Sequence, residues 1–155
     1  DAATEPRVTQ LINKTNHFNL NGNKLTSPET HAYAMSGIAR WYRLRDRFGD
    51  YGIVSAVVGT IDERRLVLDN WVVSCRAFQR TLEAFILRDI VEIARAKRCD
   101  VVALRFVDTS RNSYADAALR EMGFVEAAPG WRQRPVSAAP PPTFVTEETP
   151  GGPKT

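Results

Sequence analysis

The residues able to act as nucleophiles or carry protons near neutral pH are few: two cysteines, Cys75 and Cys99, and two histidines, His17 and His31. Cys75 ends the strand-like run Leu66-Val67-Leu68-Asp69-Asn70-Trp71-Val72-Val73-Ser74-Cys75 and stands just ahead of a long amphipathic stretch. A thiol at a strand end that faces the free N–H groups and positive dipole end of a helix is held as thiolate, and the same geometry attracts phosphate. Strand alternation puts Val67, Asp69, Trp71, Val73 and Cys75 on one face, so Asp69 and Trp71 are predicted to border the thiol. Against this stands the commoner role of a free cysteine as a small buried hydrophobe. Cys99, at a helix exit after Lys97-Arg98, fits that role. The two thiols lie at opposite ends of one helix, about 36 Å apart at ~1.5 Å per residue, too far to pair. Free thiols suit a reducing compartment.

His17 is the candidate general base for Cys75, with a hydrogen-bonded wall residue as the alternative. It sits in an amide string, Asn13-Lys14-Thr15-Asn16-His17-Phe18-Asn19, whose side chains compete with backbone hydrogen bonds. Asn13, Asn16 and Asn19 therefore either cap a helix end or line a pocket. Asp46 and Asp50 bracket Gly49 in Asp46-Arg47-Phe48-Gly49-Asp50-Tyr51-Gly52, where turn chemistry alone accounts for them. Asp69, in a strand where acids are disfavoured, either pairs with an arginine or orients the site. Arg76 and Arg80, at the first turn of the long helix, are either solvated charges or phosphate contacts. Asn112 reads as a helix N-cap. Two separated histidines and two remote cysteines form no metal-ligand cluster.

The elements that must position these residues follow from periodicity and punctuation. A short helix starts at Arg7 with Val8, Leu11 and Ile12 on one side. A second runs from about Pro28 to Ser36, capped by Ser27 and ended by Gly37. Trp41 to Arg45 and Ile53 to Thr60 make a hairpin, and Asp62 to Arg65 turns into the central strand, giving a three-stranded antiparallel meander. The long helix to Lys97 carries an apolar stripe of Phe78, Leu82, Phe85, Ile86, Ile90 and Ile93, with Arg80, Glu83, Arg88, Glu92 and Arg95 opposite. Asp100 to Val107 is a strand, Ser113 to Met122 a helix stopped by Gly123, and Phe124 to Glu126 with Trp131 to Gln133 a last hairpin around Pro129-Gly130. The chain thus divides into a lead-in at 1–6, one folded domain at 7–134, and a Pro-rich flexible linker at 135–155.

With 155 residues, 43% of them hydrophobic, the chain suits one domain. A net charge of +3 spread among acids argues against nucleic-acid binding. There is no apolar run near the ~20 residues of a membrane span and no signal-peptide pattern, so a soluble cytoplasmic protein without membrane partners is predicted.

The order of elements gives an α+β chain that resembles the GNAT acyltransferase fold, a mixed, mostly antiparallel twisted sheet flanked by helices. The segment Asn112…Met122-Gly123-Phe124 resembles that fold's closing helix. Three blocks, Leu11-Ile12-Asn13-Lys14-Thr15-Asn16-His17-Phe18-Asn19-Leu20, Arg45-Asp46-Arg47-Phe48-Gly49-Asp50-Tyr51-Gly52 and Trp71-Val72-Val73-Ser74-Cys75-Arg76, resemble the C-terminal domain of FkbH-like proteins over roughly Arg7 to Phe124. These proteins load a three-carbon glyceryl unit onto acyl carrier proteins in polyketide assembly.

The resemblance implies that a haloacid dehalogenase-like (HAD-like) phosphatase domain, absent from this chain, handles 1,3-bisphosphoglycerate. A cysteine, assigned to Cys75, then carries the glyceryl thioester to the phosphopantetheine thiol of a carrier. Backbone N–H groups near Arg76 to Phe78 are positioned for the oxyanion. The implied partners are an acyl carrier protein, the HAD-like domain and neighbouring polyketide synthase domains, with no cofactor bound by this domain alone. The pantetheine arm is expected where the central strand splays from the next, beside Asn112, and the family blocks bring His17, Asp46 and Asp50 near the site. Three positions depart from the pattern. Gln79 and Thr81 stand where glycines usually let the backbone approach a pyrophosphate, which counts against coenzyme A, and His17 replaces a usual glutamine. The rival readings are a coenzyme A-dependent N-acyltransferase and a non-catalytic docking module.

Overall fold

Helix α1 spans Glu5–Lys14, with Pro6 in the first turn, where a missing N–H leaves no bond unmade, and Val8 and Ile12 buried one turn apart. The computed structural model describes residues 4–78, 81–143 and 145–147. A two-residue strand β1, Phe18–Asn19, leads through a loop to α2, Ser27–Ser36. The cap of α2 is Thr26 and not Ser27: its hydroxyl accepts the Glu29 N–H while the Glu29 carboxylate accepts the Thr26 N–H, a reciprocal capping box. Then follow β2 (Ile38–Asp46), β3 (Gly49–Asp62), β4 (Arg65–Val73), a 3-10 turn (Cys75–Ala77), α3 (Leu82–Ala96), β5 (Val101–Arg105), α4 (Ser113–Glu121), β6 (Val125–Ala128) and β7 (Trp131–Pro135).

The sheet runs β2-β3-β4-β5-β7-β6, with β1 added against β4. Only the β4–β5 pairing is parallel, as a helical crossover through α3 requires. One face packs Leu66, Leu68, Trp71 and Val73 of β4 against Ile86 and Ile90 of α3 and Leu119 of α4. The other packs Val58 and Val72 against Val8 and Ile12 of α1.

Those two lists expose a change of phase within β4. Val58 pairs with Asn70 and Gly59 with Leu68, leaving Asp69 as the extra residue of a β-bulge. Leu66 and Leu68 before the bulge, and Trp71 and Val73 after it, therefore enter the same core. The expectation that Val67 and Asp69 share a face with Trp71 and Val73 is corrected accordingly, because strict alternation fails where one residue is inserted, and Cys75 leaves the alternation because it lies in the turn after β4. Gly59 permits the close approach, since a Cβ there would lie 2.4 Å from the Val67 carbonyl oxygen.

Beyond β7, where a flexible linker was expected, the described segment is docked. Val136 is buried and its N–H donates to the Asp100 carbonyl at 2.8 Å. The Arg134 guanidinium donates to the Ala138 carbonyl at 2.9 Å, and Val145 packs against the α3 and α4 side of the core. The linker positions Phe144 and 148–155 lie outside the described residues, as do 1–3 of the lead-in; Glu5 and Pro6 belong to α1.

Candidate active site

Ser74 makes the last bond of the β3–β4 ladder, its N–H donating to the Val54 carbonyl at 2.7 Å, and its hydroxyl then starts the turn by accepting the Arg76 N–H and Nε at 3.4 and 3.2 Å. Those bonds, with Ala77 wholly buried, fix the 3-10 turn that presents Cys75 as an exposed free thiol. The helix expected directly beside the thiol begins only at Leu82, with Thr81 in the N-cap position. Cys75 thus precedes the helix dipole instead of facing it from the next residue. Arg76 is exposed and holds Ser74, and Arg80 lies outside the described residues.

The first turn of α3 is filled by the chain itself. Thr81 adopts the left-handed conformation, φ 58°, that glycine takes without cost, so the backbone shape survives the change of residue. The Thr143 hydroxyl from the C-terminal segment donates to the Thr81 carbonyl at 2.8 Å. Glu83, expected on the solvent face of the helix, is 9% exposed; its carboxylate accepts the Tyr114 hydroxyl at 3.3 Å. Burial pushes the Glu83 carboxyl above its ordinary pKa.

The amide string closes the space where β4 leaves β5. β5 pairs with β4 only from Arg65 to Leu68, and beyond the bulge Phe18 and Asn19 pair with Val73 and Val72 instead. Leu20 donates its N–H to Asn70 Oδ1 (3.1 Å) and accepts the Val107 N–H (2.9 Å), bridging the two diverging strand ends. Asn21 Nδ2 donates to the Asp69 carbonyl at 2.8 Å. Asn112 Nδ2 donates to the Asn19 and Val107 carbonyls at 2.8 and 2.9 Å, and its Oδ1 accepts the Thr109 N–H. Asn112 occupies the N-cap position of α4 without capping it, a correction to its expected role. The Phe18 ring, fully buried, lies 4.9 Å from Trp71 and 6.2 Å from Tyr114, which stacks on Phe78 at 3.8 Å. Trp71 is fully buried and its Nε1 has no partner among the described residues.

The remaining candidates have structural partners or stand apart. Asn13 clamps Leu25 through both backbone groups, each at 2.8 Å, and Asn19 is satisfied within its own loop by Thr15, Asn21 and Gly22. Asn16 and His17 are exposed, and among the described residues no hydrogen bond joins the imidazole to Cys75; the His17 carbonyl accepts the Ala115 N–H. Asp46 accepts the Phe48 N–H and the Tyr51 hydroxyl, and Asp50 the Gly52 N–H. Both are at the Cys75 end of the sheet, but Asp50 lies four residues beyond Val54 along β3, about 13 Å at the usual strand rise. Asp69 accepts the Tyr33 hydroxyl at 2.8 Å on the α2 side. Glu83, Tyr114, Asn70 and Thr143 were not foreseen; only the pairing partners of the amide string could have pointed to Asn70. Among the described residues no group of three or more His, Cys, Asp or Glu is placed to hold a metal, and no helix is long and apolar enough to cross a membrane.

This arrangement is the GNAT acyltransferase fold. The chain superposes on the ribosomal-protein-S18-alanine N-acetyltransferase from Escherichia coli with a TM-score of 0.63 at 14% identity, covering 94% of this chain and 96% of that one. It matches Ard1 from Thermoplasma volcanium at 0.63 and 13% identity, covering 89% and 95%. It also matches Rv2747 from Mycobacterium tuberculosis, solved in complex with CoA and NLQ, at 0.59 and 12%, covering 83% and 70%. No protein-family model and no curated relative matches the chain by sequence. The two places where the resemblance puts a pantetheine arm and a pyrophosphate, the β4–β5 splay and the α3 N-terminus, are taken by β1 with Leu20 and by Glu83 with Thr143. The described residues at these two places do not fit coenzyme A.

Proposed function

We propose that the chain is an acyltransferase of the GNAT type whose acyl-holding group is Cys75. The observation that carries this reading is the exposed free thiol on a pinned turn at the open end of β4. In its finer form the acyl group is glyceryl. The Cys75 thiolate attacks the carbonyl of an activated glyceryl donor furnished by a HAD-like phosphatase domain; a C–S bond forms and the leaving group departs with its electron pair. The pantetheine thiol of an acyl carrier protein then attacks this thioester, its proton passes to the Cys75 sulfur, and the Cys75 S–C bond breaks. Because the β4–β5 gap is filled, that thiol approaches from the outer rim of the turn.

The solved neighbours favour a second reading over the glyceryl one. One of those named above is an N-acetyltransferase and another was solved in complex with CoA, which supports coenzyme A-dependent acetyl transfer. Intact-protein mass spectrometry decides between them. An adduct formed from a glyceryl thioester on the wild type and lost in Cys75→Ala supports the thiol reading. No adduct, or one that survives Cys75→Ala, sinks it; acetylation of an amine substrate by acetyl-CoA that survives Cys75→Ala would put the second reading in its place.

A further inference from the structure

We infer that the described residues of this chain form no site for free coenzyme A, and that the thioester it handles is one recognised without a nucleotide. The edge of β4 that a pantetheine amide would pair with is already hydrogen-bonded to Phe18 and Asn19. The slot behind that edge is occupied by the Phe18 ring, wedged between Trp71 and Tyr114 with Phe78 stacked outside. Leu20 and Asn112 tie this insert to both walls, so it cannot leave without stripping partners from β4 and from the end of β5 together.

The anion seat is closed independently. A diphosphate arriving at the first turn of α3 meets the Glu83 carboxyl, which accepts the Tyr114 hydroxyl, and the Thr143 hydroxyl bound to the Thr81 carbonyl. An acidic group at the place where free N–H groups would draw an anion opposes the attraction a helix N-terminus offers. Cys75 stands outside both closures and is exposed. A donor or acceptor that presents only its thioester or thiol, such as a carrier-borne pantetheine, can meet it without entering the fold. The closure of the cleft holds whether or not Cys75 is acylated; the class of thioester rests on the proposed thiol chemistry.

The test uses the wild-type full chain, isotopically labelled, titrated with desulfo-coenzyme A to millimolar concentration and followed by amide NMR. Unchanged signals for Leu20, Val72, Val73 and Leu82 to Ala84, with or without weak shifts elsewhere, are the expected result. Saturable micromolar shifts at those amides overturn the inference. In parallel, Cys75 acylation by acetyl-CoA is compared with acylation by the acetyl thioester of N-acetylcysteamine. Equal rates are expected, because a nucleotide that is not bound contributes nothing to the transition state; a saturable advantage for acetyl-CoA overturns the inference. If neither thioester acylates Cys75, the thiol chemistry fails while the titration still decides the closure.

Discussion

Replacing Asn112 separates two roles that predict opposite results. The side chain is 1% exposed, donates to the Asn19 and Val107 carbonyls and accepts the Thr109 N–H. Asn112→Ala leaves the buried Asn19 carbonyl without its side-chain donor and releases two further partners nearer the surface. At about 1–3 kcal/mol for a buried polar group left unpaired, with smaller losses where water can substitute, the expected cost is about 2–4 kcal/mol. Asn112→Asp is the sharper variant. If the residue worked as a helix cap, Asp would serve as well as Asn, and the helix dipole would favour it. As a bridge it fails, because an ionised carboxylate has no donor and turns its lone pairs on two carbonyl oxygens. The Asp variant should lose at least as much as the Ala variant at neutral pH and recover part of the loss in acid. There the carboxyl, its folded pKa held above the unfolded one, regains a proton to donate. Urea unfolding followed by tryptophan fluorescence reads all three proteins. An Asp variant as stable as wild type, or an Ala variant losing only the ~1 kcal/mol of a cap, refutes the bridge.

Gly59→Ala pushes a Cβ to within 2.4 Å of the Val67 carbonyl oxygen and should cost about 2–3 kcal/mol by forcing the β3–β4 ladder to shift, again read by urea unfolding. Glu83 has a folded pKa raised by burial, so its contribution is most favourable below the unfolded pKa and is lost as pH rises towards the folded one. Glu83→Gln keeps an acceptor for Tyr114 and should gain on wild type as pH rises from about 4 to 7; a constant difference between the two proteins over that range would show the carboxylate to be solvated. The Tyr33 and Tyr42 phenols are held above the ordinary range by burial and by hydrogen bonds to Asp69 and Asp89. Their unfolded forms ionise first, so stability should fall as pH passes about 10. Ultraviolet titration should find these two of the four tyrosines ionising only with unfolding.

Element order, the antiparallel meander and the closing hairpin were legible because hydrophobic periodicity and Gly/Pro punctuation are local signals. The errors arose where a non-local contact decides the outcome. Val67 to Cys75 reads as unbroken alternation, and nothing in those residues marks Asp69 as the inserted one; the cue is Gly59 on the partner strand. Phe78 belongs to the helical stripe by spacing, yet Ser74 capping a 3-10 turn and the left-handed Thr81 delay the helix to Leu82. The docked segment after Pro135 has no periodicity of its own. It is held locally by the buried Arg134 and, far away in sequence, by the Val136 N–H on Asp100 and the Thr143 hydroxyl on Thr81. Cys75 was legible as a thiol at the end of the central strand, and it is exposed there; its neighbours were not, since the bulge turns Asp69 towards α2.

The amide string gains a physical purpose from that same bulge. Inserting Asp69 swings β4 away from β5 after Leu68, and two diverging strands leave N–H and C=O groups facing a gap too narrow to solvate well. Apolar side chains would fill the space but leave those groups unpaired. An amide both donates and accepts, so a few of them can mend a ladder whose spacing no regular strand matches. Asn70 supplies the acceptor for Leu20, Asn21 the donor for the Asp69 carbonyl, and Asn112 the donor for Asn19 and Val107. Phe18 provides the apolar filling between them. Asn13, Asn19, Asn21, Asn70 and Asn112 are thus committed to backbone partners, which argues against the pocket-wall role for Asn13 and Asn19, while Asn16 is exposed and Cys75, one turn past the mended strand, is an exposed free thiol at that end of the sheet.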